Sequence, residues 1–124
     1  MKGAHVVSAD PAFWPSTTRL LSDLGAAVAD GMIQFRDPDG RLFTMFRAPE
    51  QTAEALAGPL VAGPGLDRLP DLANVEVYAV ECRWEPMFAE VVQLVGQAVP
   101  GTWVIDGDGV IWDSTTVDPA TVRL

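Results

Sequence analysis

Residues 103–113 read WVIDGDGVIWD, two short apolar runs on either side of a repeated Asp-Gly pair. An Asp-Gly between runs rich in β-branched and aromatic residues is among the stronger signals for a β-hairpin, because these two residue types tolerate the backbone angles of a tight turn. Residues 32–46, MIQFRDPDGRLFTMF, show the same pattern around DPDG. The two stretches therefore predict two hairpins.

The segments that precede the two hairpins are also similar. Displaced by 70 residues, HVVSADPAFWP at 5–15 lies over VEVYAVECRWE at 75–85, and an amphipathic run follows each β-rich run. Apolar residues at helical spacing predict one helix in each copy. The stripes are Trp84, Phe88, Val91, Val92, Val95 and Val99 in the second copy, and Trp14, Leu20, Leu21, Leu24 and Val28, closed by Gly31, in the first. Each copy is predicted as β-α-β-β.

The predicted fold class is α+β, with two β-α-β-β pseudo-repeats forming a largely antiparallel sheet and two helices packed on one face. A chain of 124 residues is expected to form a single domain, 1–124. Its predicted parts are pseudo-repeat 1 at 4–47, a connection at 48–73, pseudo-repeat 2 at 74–113 and a short tail at 114–124. The connection is rich in proline and glycine but also apolar, so we expect it to be packed, with a short helix from Pro49 through AEALA.

The chain is acidic, and its charge is distributed unevenly along the sequence. Eight basic against 17 acidic side chains give a net charge of −9, and residues 63–124 hold three basic and ten acidic ones. Such a field repels phosphate backbones and anionic lipids and attracts cations, so we expect a basic protein partner, no nucleic acid and no membrane. Cys82 is the one cysteine, and MKGAHVVSAD lacks the apolar run of a signal peptide, which favours the cytoplasm.

WVIDGDGVIWD resembles the first motif of the haloacid-dehalogenase-type phosphatases, a strand followed by Asp-x-Asp-Gly. The resemblance implies Asp106 as nucleophile and Asp108 as acid/base, within a doubly wound α/β domain whose later strands supply a lysine and further acids. Here eleven residues follow Asp113, and the one lysine is Lys2. Because DPDG stands at the same place in the first copy, the aspartates are interpreted as turn formers.

FWPSTTRLLSDLG and FRDPDGRLF resemble pieces of the glyoxalase and bleomycin-resistance superfamily, whose domains pair two β-α-β-β-β modules. The resemblance covers about the first 46 residues. It implies a divalent metal held by His and Glu at strand ends, with His5 at the place of a metal histidine. Each predicted module here is one strand short and His5 is the one histidine, so we predict no cofactor and no metal site. A small metal-dependent enzyme or ligand-binding protein of this build is the first alternative function.

The remaining candidates are acids of the C-terminal half and the tryptophans on either side of DGDG, Trp103 and Trp112, of which strand alternation predicts that at least one is exposed. An aromatic side chain inside an acidic rim is typical of a protein-binding surface, and Cys82 and the serines stand in no nucleophile motif. The predicted function is a non-catalytic protein-binding domain with an acidic C-terminal face, comparable to an immunity protein that blocks a cationic toxin. The predicted partner-binding residues are Asp106, Asp108, Trp112, Asp113, Asp118 and Glu85. A structural or oligomer-forming module, for example a homodimer, is the second alternative.

Overall fold

A computed structural model describes residues 3–124, and over this range the chain is α+β, with a mostly antiparallel sheet of eight strands and three helices. Residues 1 and 2, which include Lys2, lie outside the described residues. The strands are β1 (Gly3–Ser8), β2 (Ala27–Ala29), β3 (Met32–Arg36), β4 (Leu42–Arg47), β5 (Val61–Ala62), β6 (Glu76–Cys82), β7 (Thr102–Ile105) and β8 (Val110–Asp113). The helices are α1 (Phe13–Asp23), α2 (Thr52–Leu56) and α3 (Glu85–Ala98), with 3-10 turns at Pro49–Gln51 and Ser114–Thr116.

The strand order is β2-β3-β4-β6-β1-β7-β8-β5, so the centre of the sheet is the antiparallel pair of β1 and β6. The hairpin β3–β4 joins this pair through its second strand, because β4 lies beside β6. The hairpin β7–β8 joins it through its first strand, because β7 lies beside β1. The two hairpins are therefore attached in different ways, and the pseudo-repeat stays an interpretation of the sequence.

The helix side of the sheet carries the larger core. Side chains alternate between the faces of a strand, so Val6 on β1 and Val80 on β6 point to the same side as α1 and α3. From α3, Phe88, Val92 and Val95 are fully buried against them. Burial of each such side chain contributes about 1.5–3 kcal/mol. The helix α3 therefore supplies much of the packing that holds the sheet.

The connection covers the opposite side of the sheet over strands β6, β1, β7 and β8. Val7, Val77, Ile105 and Ile111 form a second buried cluster there, together with Ala55 of α2. Partly buried side chains of the connection and of β7 pack against this cluster: Leu56, Leu60, Leu66, Leu72, Val75 and Trp103. The apolar residues of the connection are thus accounted for by contact with the sheet. None of the helices within residues 3–124 has the length and apolar character needed to cross a bilayer.

The first helix is shorter than the sequence stripe predicts. It ends at Asp23, and Val28, predicted to lie on the helix, lies in β2 and is 48 % exposed. Gly25 has φ +98°, a left-handed conformation that ends helices because it costs glycine little. The prediction of one helix up to Gly31 is therefore wrong, and a short edge strand takes the place of its last turn.

Candidate functional site

The turn between β7 and β8 is organised by the side chain of Asp106, which is only 6 % exposed. Its Oδ1 accepts hydrogen bonds from the backbone N–H groups of Asp108 (2.9 Å) and Val110 (3.1 Å). Its Oδ2 accepts from Trp112 Nε1 (3.1 Å) and from the backbone N–H of Arg123 (3.3 Å). Both oxygens are therefore occupied inside the protein, where they join the turn, the β8 tryptophan and the C-terminal tail.

The turn between β3 and β4 is built by the same chemistry nearer the surface, where the Asp37 side chain is 13 % exposed. Oδ1 of Asp37 accepts from the backbone N–H groups of Asp39 (3.0 Å) and Arg41 (2.9 Å), and its Oδ2 accepts from Arg41 Nε at 2.7 Å. Partial burial raises the pKa of Asp37, but the hydrogen bonds and the positive charge of Arg41 outweigh it, so the pKa lies below its ordinary value. The hydrogen bond to Asp37 is also the main reason that the pKa of Arg41 is raised.

The six predicted partner-binding residues do not form one cluster. Trp112 is 2 % exposed, and both it and Asp106 lie inside the protein. Asp108 lies in the turn before β8, whereas Asp113 is the last residue of β8 and accepts from Thr115 N (2.9 Å) and Thr115 Oγ1 (2.7 Å).

The other two predicted residues lie on the helix side of the sheet. Glu85 begins α3, and Asp118 is exposed in the tail between Val117 and Val122, which are buried in the helix-side core. The acidic side chains of the C-terminal half are thus distributed over both sides of the sheet.

A groove on the connection side combines aromatic, apolar and acidic side chains. It has a volume of about 610 Å³ and is lined by residues 65–71 and Trp103; we call it the Trp103 groove. Trp103 is half-buried, Leu69 is 45 % exposed, and Asp67 and Asp71 are exposed. Asp113 is the ladder partner of Trp103, so its side chain lies on the same face.

Only part of this groove can be predicted from the sequence. Strand alternation put Trp103 and Trp112 on candidate faces, but it did not show which of the two is exposed. Asp67 and Asp71 were missed because they lie in the connection, which has no periodic pattern that could place them beside β7. Their proximity to Trp103 depends on how the connection folds over the sheet, a tertiary property.

Two side chains with catalytic potential, Cys82 and Tyr78, are buried. Cys82 is 3 % exposed, and its Sγ lies 3.5 Å from the carbonyl oxygen of Trp84. Burial, with the hydrogen bond that Tyr78 donates to Glu76 at 2.8 Å, raises the pKa of the Tyr78 hydroxyl, which disfavours its ionised, nucleophilic form.

The residues that the metal alternative would use are not assembled into a ligand set. His5 Nε2 lies 3.0 Å from Gln51 Oε1. Within residues 3–124, no group of three or more His, Cys, Asp and Glu side chains is placed to hold a metal ion. Comparisons of the chain with protein-family models, with curated proteins and with solved structures find no match.

Proposed function

We propose that this chain is a non-catalytic protein-binding domain that meets a basic protein partner through the acidic surface of its C-terminal half, in the manner of an immunity protein. The observation that carries the proposal is the Trp103 groove, where an aromatic ring and an exposed leucine are surrounded by carboxylates. Protein interfaces are enriched in aromatic anchors that lie inside a polar rim.

The charges around the groove favour a cationic partner. The groove and its rim carry three carboxylates and one cation, which give a local net charge of −2: Asp67, Asp71, Asp113 and Arg68. The field of the whole chain, at net −9, has the same sign and would accelerate the approach of a basic protein. We therefore centre the proposed interface on Trp103 and Leu69, with Asp113 retained from the sequence prediction. Asp108 and Asp118 would contribute through the long-range field.

The test is a charge reversal at the groove. Asp67→Lys replaces an exposed acid with a base. Within the described residues, the Asp67 side chain makes no hydrogen bond that the change would break. Immobilised wild-type and variant domains are exposed to native lysate at low salt, and a retained basic protein is purified for kinetic measurement. We expect Asp67→Lys to slow association about tenfold, with a difference that shrinks as salt is added.

Asp23→Lys is the matched control, because it makes the same change of charge at the exposed end of α1 on the other side of the sheet. We expect this control to retain the same protein and to lose much less of its association rate. Leu69→Ser tests the apolar part of the surface and should raise the dissociation rate. Association unchanged in Asp67→Lys, together with dissociation unchanged in Leu69→Ser, would exclude the groove as the interface.

We also infer that the two halves derive from an internal duplication. The support is the chemistry of the two turns: Asp37 and Asp106 each accept two backbone hydrogen bonds through Oδ1, and Gly40 and Gly109 follow at φ +81° and +79°. The different attachment of the two hairpins would then have arisen after the duplication. The single cysteine supports a reducing, cytoplasmic location for the proposed domain.

A homodimer-forming module is the second candidate function, and the free edge of the sheet favours it. The edge strand β2 consists of Ala27, Val28 and Ala29, all exposed and none of them charged, whereas natural edge strands are commonly protected by charge or proline. Sedimentation of wild type and of Val28→Lys at several concentrations tests it: self-association that the variant abolishes supports the module. For the metal-dependent alternative, calorimetric titration of divalent ions against wild type and His5→Ala is the corresponding test.

A further inference from the structure

A cavity lies on the helix side, between α1, α3 and the turn that joins β3 to β4. It has a volume of about 300 Å³, and we call it the helix-side cavity. Leu21, Met87 and Val91 form its floor and are no more than 4 % exposed. Leu24 and Leu94 lie at its mouth, where they are 50 % and 37 % exposed. The floor and one part of the mouth are therefore apolar, and the cavity is open to solvent.

Charged side chains surround this opening. Asp37, Asp39 and Glu90 line it together with one cation, Arg41, which leaves a net charge of −2. The guanidinium of Arg41 is held by Asp37 at 2.7 Å and lies 3.6 Å from Asp39. Glu90 is exposed on α3 and has no salt-bridge partner within residues 3–124. An unpaired carboxylate thus stands beside an apolar cavity.

We propose that the helix-side cavity binds a small amphiphilic cation, an alkyl or aryl ammonium, with its apolar body against the leucines and its ammonium group beside Glu90. Ligand pockets in proteins are lined mainly by apolar side chains and contain a few polar groups that fix the orientation of the ligand. A volume of about 300 Å³ is at the small end of such pockets, which favours a compact ligand. This site goes beyond the proposed function and does not depend on it, because the Trp103 groove lies on the other side of the sheet.

The two halves of the ligand would be recognised by different forces. Each methylene group that leaves water for the cavity strengthens binding about fourfold. The carboxylate of Glu90 and the net negative mouth favour a cation and repel an anion of the same shape. The proposal therefore predicts selectivity by charge between ligands that share one apolar tail.

The experiment compares octylammonium with octanoate, which carries the opposite charge, both at concentrations where they are monomeric. Binding to the full chain is followed by NMR, through the signals of Leu21, Leu24, Met87 and Leu94. We expect octylammonium to shift these signals saturably and octanoate to leave them unchanged. Glu90→Gln should weaken octylammonium binding about fivefold, as expected for one partly exposed ion pair. Leu94→Gln should weaken it through the apolar part of the site.

Glu54→Gln is the matched control, because it removes an exposed carboxylate from α2 on the opposite side of the sheet. This control should bind octylammonium with the same affinity as wild type. Amide NMR spectra of all variants report whether the fold is retained. Equal binding of octanoate, shifts that map away from the cavity, or unchanged affinity in both Glu90→Gln and Leu94→Gln would each overturn the proposal. None of these outcomes would affect the Trp103 groove, where the proposed partner is a protein.

Discussion

The two hairpin turns of this protein are locally alike but differ in what surrounds them. In both, an aspartate accepts two backbone hydrogen bonds through Oδ1, and a glycine with positive φ completes the turn. The second oxygen makes the difference: in Asp37 it meets Arg41 at the surface, and in Asp106 it meets Trp112 and the tail in the interior. The local sequence thus determines the turn, whereas the tertiary environment determines how much stability depends on it.

Removal of the aspartate side chain from each turn should give the largest difference. Asp106→Ala leaves the Trp112 N–H, which is buried, and three part-buried backbone N–H groups without their acceptor, and we expect a loss of about 3 kcal/mol in the free energy of unfolding. The donors around Asp37 are more accessible, since Asp39 is exposed and the Arg41 side chain is 37 % exposed, so in Asp37→Ala water can reach them and the loss should be smaller. Urea denaturation of the two variants measures both values.

Trp112→Phe isolates the buried hydrogen bond within that first comparison. The ring is kept approximately in place, but the Nε1 donor to Asp106 is removed. We expect this variant to lie between wild type and Asp106→Ala in stability. Equal losses in Asp106→Ala and Asp37→Ala would show that the environment of the second oxygen does not matter, and the comparison would fail.

The glycines of the two turns should give an intermediate difference. Gly40 and Gly109 both have positive φ, so alanine at either position costs about 1–2 kcal/mol in backbone strain. A Cβ on Gly40 would meet nothing within 4 Å, but on Gly109 it would lie 2.9 Å from the carbonyl oxygen of Pro59. We therefore expect Gly109→Ala to destabilise the fold by at least about 1 kcal/mol more than Gly40→Ala in thermal denaturation. Equal melting temperatures would contradict this account.

Acid titration should give the smallest difference. The pKa of Asp37 is lowered from 3.8, because the hydrogen bonds and charge of Arg41 outweigh the effect of burial. A carboxylate with a lowered folded pKa stabilises the fold above pH 3.8, and this contribution is lost as the pH falls through the folded pKa. NMR titration of the Asp37 carboxyl carbon, with Arg41→Gln as control, should show the pKa return toward 3.8 in the variant. The same pKa in both proteins would remove the proposed role of Arg41.

The sequence was informative where structure depends on neighbours along the chain. The Asp-Gly turns, the strands on either side and the α3 stripe from Phe88 to Val99 follow from local patterns, and so does the short helix after Pro49. Trp84, predicted on the same stripe, precedes the helix and is 44 % exposed. The end of α1 was mispredicted because Val28 continued the apolar spacing, although Gly25 already ends the helix. The order of the strands and the partners of Asp106 could not be predicted, because they join segments that lie far apart in the sequence.

The two candidate binding sites also depend on contacts between segments that lie far apart in the sequence. Trp103 could be named from strand alternation, but the acids beside it belong to an irregular segment. The helix-side cavity joins Leu24, Glu90 and Asp39, which come from three elements without a common motif. Such sites cannot be predicted from the periodic pattern of the sequence, because they are formed by the packing of separate segments.

The central position of β1 has a consequence for how the chain is made. β1 lies at 3–8, but its two neighbours in the sheet are β6 at 76–82 and β7 at 102–105. During synthesis this first strand must wait for about 70 further residues before its first partner emerges, and the slow closure of such long loops delays β pairing. While residues 9–75 are added, the nascent chain therefore presents the apolar strand β1 without its sheet partners, which exposes this strand to non-native contacts.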